Sequence, residues 1–316
     1  MPSRPLSTPR LPQRTKGKCS RSPVDILAAG FVAGAVSRTC TAPFDRLRSL
    51  MAAGGTSTLK KADGSILNGL RAMYNAGGLR CMWQGNMANV LQVGPESACL
   101  FLANDMLTGI VRKDKNTPLS LPQKFLCGAG AGIISMTAVY PMYVVQNRLM
   151  VAKEGLYSSI FDCIRKTYRA EGIRAFSQGY VPSFIRIIPY KGIDLAGYHL
   201  LREQFVKPGD NPSKLQSLSF GATAACVSQT VTHPLLLART KLQCQGDAMG
   251  RPIKYKNMFD AVQKTFMKGY RNGSLTRGFI SLWAGWAPSM AKNVPAIAIQ
   301  FCIYEECLKM LDKIKY

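Results

Sequence analysis

Glu96, Asp105, Arg186, Lys191, Asp194 and Lys292 each interrupt a stretch that is otherwise apolar. Arg38 closes another such stretch that begins at Ile26. A charge inside an apolar helix is costly unless it faces protein or water, and in those settings it usually handles an ion or a substrate. Arginine can hold a phosphate or carboxylate in a bidentate fork, whereas lysine acts as a point charge. These residues therefore suit the binding of anions. They do not suit bond-breaking chemistry. The two histidines, His199 and His233, have no triad partner in motif order, and neither a Walker loop nor a GxGxxG turn occurs. The ten cysteines show no CxxC pairing. Cys40, Cys99, Cys127, Cys226 and Cys302 fall in or beside apolar stretches, which reads as reduced, core-type thiols. The pattern points away from an enzyme and away from a zinc site.

The chain has 316 residues, and 41 Lys and Arg against 17 Asp and Glu give a net charge of +24. Such a balance favours anionic partners: nucleic acid, anionic lipid or small anions. Hydrophobic residues make up 47%, which excludes a disordered basic tail. Residues 125–147 and 215–238 are free of Asp, Glu, Lys and Arg and are long enough to span a bilayer. They argue against a soluble nucleic-acid-binding protein. Residues 1–23 are rich in Arg, Ser and Pro, contain no acid and lack an apolar signal core. They read as a basic disordered arm or a targeting presequence.

Internal repetition supplies the elements that position the charges. A proline recurs late in an apolar helix in TAPFDRLR, VYPMYVVQNR and THPLLLARTK, at Pro43, Pro141 and Pro234. A second marker recurs in WQGNMANVLQVGP, SQGYVPSFIRIIP and WAGWAPSMAKNVP. Gly85, Gly179 and Gly285 are spaced by 94 and then 106 residues, and so are Pro95, Pro189 and Pro295. Two markers in step three times predict three repeats, at 24–113, 114–207 and 208–316. Each reads as an apolar helix, a basic loop and a second helix. Small residues four apart, Gly30 and Gly34, Gly128 and Gly132, Gly221 and Ala225, predict close helix packing in lipid. The basic loops fit a positive-inside bias and contact with anionic lipid heads.

Together these motifs resemble the mitochondrial carrier family, whose signature is Px[DE]xx[KR] followed by a loop helix and a [WYF][RK]G turn. The resemblance runs from about residue 24 to 316. Within the family, AGAVSRTCTAPFDRLR, GNMANVLQVGPESA, YSSIFDCIRK and HPLLLARTKLQ are most similar to the ATP-magnesium/phosphate carriers. No DxDxDG loop occurs, so a calcium-independent form without the EF-hand domain is expected. The resemblance implies an all-α membrane protein. Six tilted transmembrane helices would form a threefold pseudosymmetric barrel, kinked at Pro43, Pro141 and Pro234, with short matrix-side helices in the loops. It also implies a monomer in the mitochondrial inner membrane, cardiolipin as a structural lipid, and no cofactor beyond magnesium carried with a nucleotide. The partner is a small anionic solute, not nucleic acid.

By motif alignment, the resemblance places substrate contacts at Gln92, at Arg186 with Ile187, and at Lys292. Arg38, Tyr190 and Lys191 are expected to face the same cavity, so that Arg38, Arg186, Lys191 and Lys292 surround one site. Glu96 would offset one cation or receive magnesium or a proton. The matrix gate falls on Asp45, Arg48, Tyr143, Gln146, Leu236 and Arg239, with Gln243 as a brace. Its links become Asp45–Gln146, Tyr143–Arg239 and Leu236–Arg48, of which the first two can be hydrogen bonds. The cytoplasmic gate falls on Asp105, Thr108, His199, Arg202, Glu305 and Leu308, where Asp105 and Arg202 can pair. The implied function is exchange of adenine nucleotide or phosphate by alternating access. Arg186 stands where nucleotide carriers have glycine, which leaves a carboxylate, keto-acid or amino-acid exchanger open. The incomplete gates leave open a carrier-like receptor or leak.

Overall fold

The three prolines mark three long helices. In the computed structural model, which describes residues 23–54, 65–112, 120–153, 155–206, 210, 212–271 and 273–315, these are α1 (Pro23–Ala52), α5 (Leu121–Val151) and α8 (Lys214–Gln243). Short helices follow: α2 (Ile66–Met82) and α3 (Asn86–Leu91), α6 (Ile160–Glu171), then α9 (Met258–Arg271) and α10 (Leu275–Ser281). Each repeat ends on a further long helix, α4 (Val93–Val111), α7 (Tyr180–Phe205) or α11 (Trp286–Lys315). The fold is all-α, with no strand among the described residues. The basic arm lies almost wholly outside them, as do Lys60 and Lys61.

The repeats interlock in a ring. The most extensive contacts join α4 to α5, α7 to α8 and α11 to α1. Each repeat's second long helix thus packs on the first helix of the next repeat. α1, α5 and α8 also meet one another, and the main core lies at their C-terminal ends. Leu47 and Leu50 of α1 and Val145, Leu149 and Met150 of α5 pack there against Met73, Tyr157, Cys163 and Met249 of the loop segments.

Each inner proline removes the donor that would bond the carbonyl four residues earlier. Those carbonyls belong to Thr39, Thr137 and Thr230. The indole Nε1 of Trp83 donates to the Thr39 carbonyl at 2.8 Å, and Trp283 donates to the Thr230 carbonyl at 3.0 Å. The residue after the turn glycine then reaches the threonine hydroxyl in all three repeats: Asn86 at 3.1 Å, Tyr180 at 2.8 Å and Trp286 at 2.9 Å. Each proline position is therefore braced from within its own repeat. Trp83→Phe keeps the ring but removes the donor to the Thr39 carbonyl, and should cost about 0.5–1.5 kcal/mol. Thermal unfolding of the purified variant checks this; an unchanged midpoint would show that the indole does not brace the kink.

The turn glycines have a second reason to be glycine. Gly85, Gly179 and Gly285 have φ of +83°, +78° and +84°. A Cβ on them would come within 3.3 Å of the Gln146 carbonyl, 3.0 Å of the Arg239 carbonyl and 2.8 Å of the Arg48 carbonyl. These three carbonyls occupy equivalent places on α5, α8 and α1. The close approach sets the height of each second long helix against the next repeat.

Two expectations need correcting. Close helix packing does not follow the glycine pairs read from sequence. A Cβ on Gly30, Gly128, Gly132 or Gly221 would meet nothing within 4 Å, whereas Gly34 touches Val93 and Gly130 touches Leu107. In the second repeat the contact falls between the two expected positions, because the packed face is set by the kink and ring geometry. Hydropathy also divides the spans differently. α1 over Asp25–Ala52 and α5 over Leu126–Val151 are long and apolar enough to cross a bilayer. α8 falls short because Ser, Thr, Gln and His dilute its uncharged run, while α1 qualifies despite Arg38. All nine described cysteines are free, but of the five assigned to apolar stretches only Cys127 is buried.

Candidate functional site: a cation-lined cavity

Gln92, Arg186 and Lys292 each lie seven residues after a turn glycine. They therefore stand about 10 Å, two helical turns, along their helices from the glycine contacts. Between those levels lies a polar cavity of about 210 Å³. Its lining includes Arg38, Asp45 and Arg48 of α1, Tyr143 and Gln146 of α5, and Leu236 and Arg239 of α8. Gln92 and Lys292 also line it, Asn89, Asn147 and Thr240 are additions, and the expected contacts Glu96, Arg186, Ile187, Tyr190 and Lys191 are not in its lining. The first and third additions were legible in part. Asn89, Gln92 and Glu96 form an i, i+3, i+7 polar stripe along one face of α3–α4, and Thr240 adjoins Arg239.

One charge pair crosses repeats, and two others lie within the first repeat. Lys292 Nζ donates to both Asp45 carboxylate oxygens, at 2.7 and 2.6 Å. Arg48 stands 3.7 Å from the same carboxylate. Arg38 bonds Asn89 twice at 2.9 Å and pairs with Glu96 at 3.3 Å. The other Glu96 oxygen accepts from Tyr143 at 2.6 Å. Among the described residues no ion pair reaches Arg239; its guanidinium lies 4.8 Å from the Tyr143 ring centre and 5.9 Å from that of Tyr140.

Several expected links are therefore replaced. Asp45 bonds Lys292 rather than Gln146, whose amide faces the Met150 sulfur at 4.0 Å. Tyr143 meets Arg239 through its ring and spends its hydroxyl on Glu96. The reason is reach: the long Lys292 side chain extends towards α1, and Gln146 carries no charge to compete. The expected ring of four cations is not assembled. Arg38 and Lys292 line the cavity with Arg48 and Arg239, which were assigned to the gate. Arg186 is half-buried over the Tyr190 ring, at 5.0 Å, with Nη1 3.5 Å from the Thr232 hydroxyl. Ile187 is half-buried beside it. Lys191 is 67% exposed, pairs with Asp194 at 3.9 Å and does not line the cavity.

Gln243, the expected brace, is fully buried and doubly hydrogen-bonded. It accepts from Asn147 at 2.8 Å and donates to the Tyr140 hydroxyl at 2.8 Å, and Tyr140 in turn donates to the Gln178 carbonyl. Next to it lies a residue the sequence reading passed over. Arg148 is 0% exposed and forks onto Glu171 with two bonds of 2.7 Å. It also donates to the Gln243 and Gln245 carbonyls. His233 is buried with Nε2 3.2 Å from the Ala284 carbonyl, a structural contact.

The expected cytoplasmic gate residues are not joined by the expected pair. Among the described residues, no ion pair joins Asp105 to Arg202. Asp105, His199 and Arg202 are exposed, Thr108 and Glu305 are half-buried, and Leu308 is buried. No group of three His, Cys, Asp or Glu among the described residues could hold a metal. In the loop helices, two equivalent carboxylates, Asp162 and Asp260, are held below the usual carboxylate range by hydrogen bonds from Lys166 and Lys264.

Comparison with known proteins agrees with this geometry. The family described as "Mitochondrial carrier protein" matches residues 20–115, 117–209 and 210–315. The chain is 38% identical over 284 residues to the mitochondrial adenyl nucleotide antiporter SLC25A24-A of Xenopus laevis, covering 89% of this chain and 57% of that protein. It is 37% identical over 289 residues to human SLC25A24, covering 90% and 58%. It is 36% identical over 283 residues to the calcium-binding mitochondrial carrier protein SCaMC-2 of Xenopus laevis, covering 88% and 52%. The chain thus spans about half the length of these curated relatives. Three matched segments, three braced prolines inside long helices and a ring of interlocked repeats lead to one conclusion: the chain belongs to the mitochondrial carrier family.

Proposed function

We propose that the chain exchanges phosphorylated anions, adenine nucleotide and phosphate, across the mitochondrial inner membrane by alternating access, as a multi-pass monomer. The observation that carries this reading is the cavity. Arg38, Arg48, Arg239 and Lys292 line it against one carboxylate, Asp45. Such an excess of cation in a low-dielectric hollow calls for an anionic occupant. The membrane setting is supported by large apolar side chains left exposed on all six long helices, among them Phe31, Phe101, Ile134, Ile188, Val231 and Phe301. Surfaces of that kind suit lipid, including cardiolipin. The nucleotide part of the reading draws on the relatives named adenyl nucleotide antiporters. Both Glu96 oxygens are engaged by Arg38 and Tyr143, so magnesium would enter bound to the nucleotide.

A carboxylate exchanger is the second reading, because Arg186 fills the space over Tyr190. A thermal-shift screen of the detergent-purified chain separates the two, since a ligand of the folded state raises its midpoint. ADP, ATP-magnesium and phosphate should each raise it. A shift with malate or 2-oxoglutarate and none with nucleotide or phosphate would reverse the order. Arg186→Gly should widen acceptance towards nucleotides; unchanged selectivity would count against Arg186 as a selector.

A further inference from the structure

The three repeats disagree at one position. Where α1 carries Asp45, α5 carries Tyr143 and α8 carries Leu236. Three residues on, the order is Arg48, Gln146 and Arg239. The floor thus keeps two arginines and one acid, and Lys292 holds that acid with two short bonds. Glu96 is likewise held by Arg38 and Tyr143. Arg48 keeps only a 3.7 Å contact to the Asp45 carboxylate that Lys292 already holds, and among the described residues no ion pair reaches Arg239. The Nε of each is buried without a hydrogen-bond partner, and so is the Nδ2 of Asn89, a side chain 4% exposed on the same cavity.

We propose that Arg48, Arg239 and the Asn89 amide form a phosphoryl-binding site at the cavity floor, where the ligand's dianion replaces the carboxylates that α5 and α8 lack. This deepens the anion-exchange reading and rests on it. The charge count selects the class of group. Arg48, Arg239 and Lys292 against the single Asp45 carboxylate leave two positive charges over, which a phosphoryl group, at about −1.5 to −2 near neutral pH, matches and one carboxylate half-matches. Donors in fork geometry suit its several oxygens.

The test uses the full chain in detergent, with inorganic phosphate, ADP and malate as separate arms, and reads thermal shift and affinity. In the unsubstituted chain phosphate and ADP should each give a shift, with malate the weakest. Leu236→Glu puts a carboxylate against Arg48. It should raise the ligand-free midpoint, which mere damage would not do, and weaken phosphate and ADP binding by at least tenfold. Arg239→Gln should weaken both ligands similarly without raising the ligand-free midpoint, and it serves alone should Leu236→Glu fail to fold. Undiminished phosphate and ADP affinity in either variant overturns the site. A shift with malate alone also overturns it. No shift with any arm in the unsubstituted chain removes the anion-exchange reading itself, which is a different result from a shift that both variants retain.

Discussion

Replacing Arg148 by glutamine should destabilise the fold by roughly 3–5 kcal/mol, the cost of leaving a buried charge without its partner. Arg148 is fully enclosed and Glu171 is 6% exposed at the side chain. The guanidinium joins α5 to α6 through Glu171 and to the end of α8 through the Gln243 and Gln245 carbonyls. Glu171 also accepts from the Ala248 amide, so it ties down the segment after α8. The other repeats have no equivalent pair: Leu50 stands at this position in α1, and Lys241 in α8 bonds the Thr265 hydroxyl. This ion pair therefore adds a charged clamp between the second and third repeats, beside the packing of α7 on α8. Thermal unfolding with intrinsic fluorescence reads the loss. A drop below 1 kcal/mol would show that the remaining contacts hold the join without it. Glu171→Gln should be nearly as damaging, because it strands the arginine instead.

Asp45→Asn is expected to have the largest functional effect. The carboxylate holds Lys292 at 2.6 Å and is the nearest anion to Arg48. Removing its charge leaves both cations facing the cavity and weakens the only ion pair from α11 to the floor among the described residues. Breaking such a pair costs roughly 2–5 kcal/mol. A loss of about 1.4 kcal/mol from the closed-floor state already changes its population tenfold relative to the open one. Exchange should therefore fall at least tenfold. The double variant Asp45→Asn with Lys292→Gln removes the stranded charge and should recover part of the stability, a non-additive result that a double-mutant cycle reads. Strict additivity would mean that the pair does not lock the floor.

The fold was legible because its punctuation is local. A proline removes one donor and fixes a kink, and a glycine at positive φ marks one turn; both survive in all three repeats. Their partners were not legible. Nothing in the spacing of Thr39 and Trp83 announces that an indole takes the place of the missing proline N–H. The site was half legible for a related reason. Motif register placed Gln92 and Lys292 correctly on the cavity, since backbone position follows from helix geometry. It could not say where a flexible side chain ends, so Lys292 was read as a free contact when it reaches Asp45. Lys191 failed in the opposite way, being near the right level but outside the cavity lining. Arg148 was read as the edge of an apolar window, because its partners lie in the loop helix of its own repeat and at the end of the next repeat's first helix.

Counter-exchange in proteoliposomes tests the central proposal most directly. Purified chain would be reconstituted with ADP inside, and labelled phosphate and labelled ATP-magnesium supplied outside. The account predicts saturable uptake of both that depends on the internal ADP and falls at least tenfold in Asp45→Asn. Uptake of malate or 2-oxoglutarate alone, or no exchange of any anion by protein that is folded and reconstituted, would contradict it.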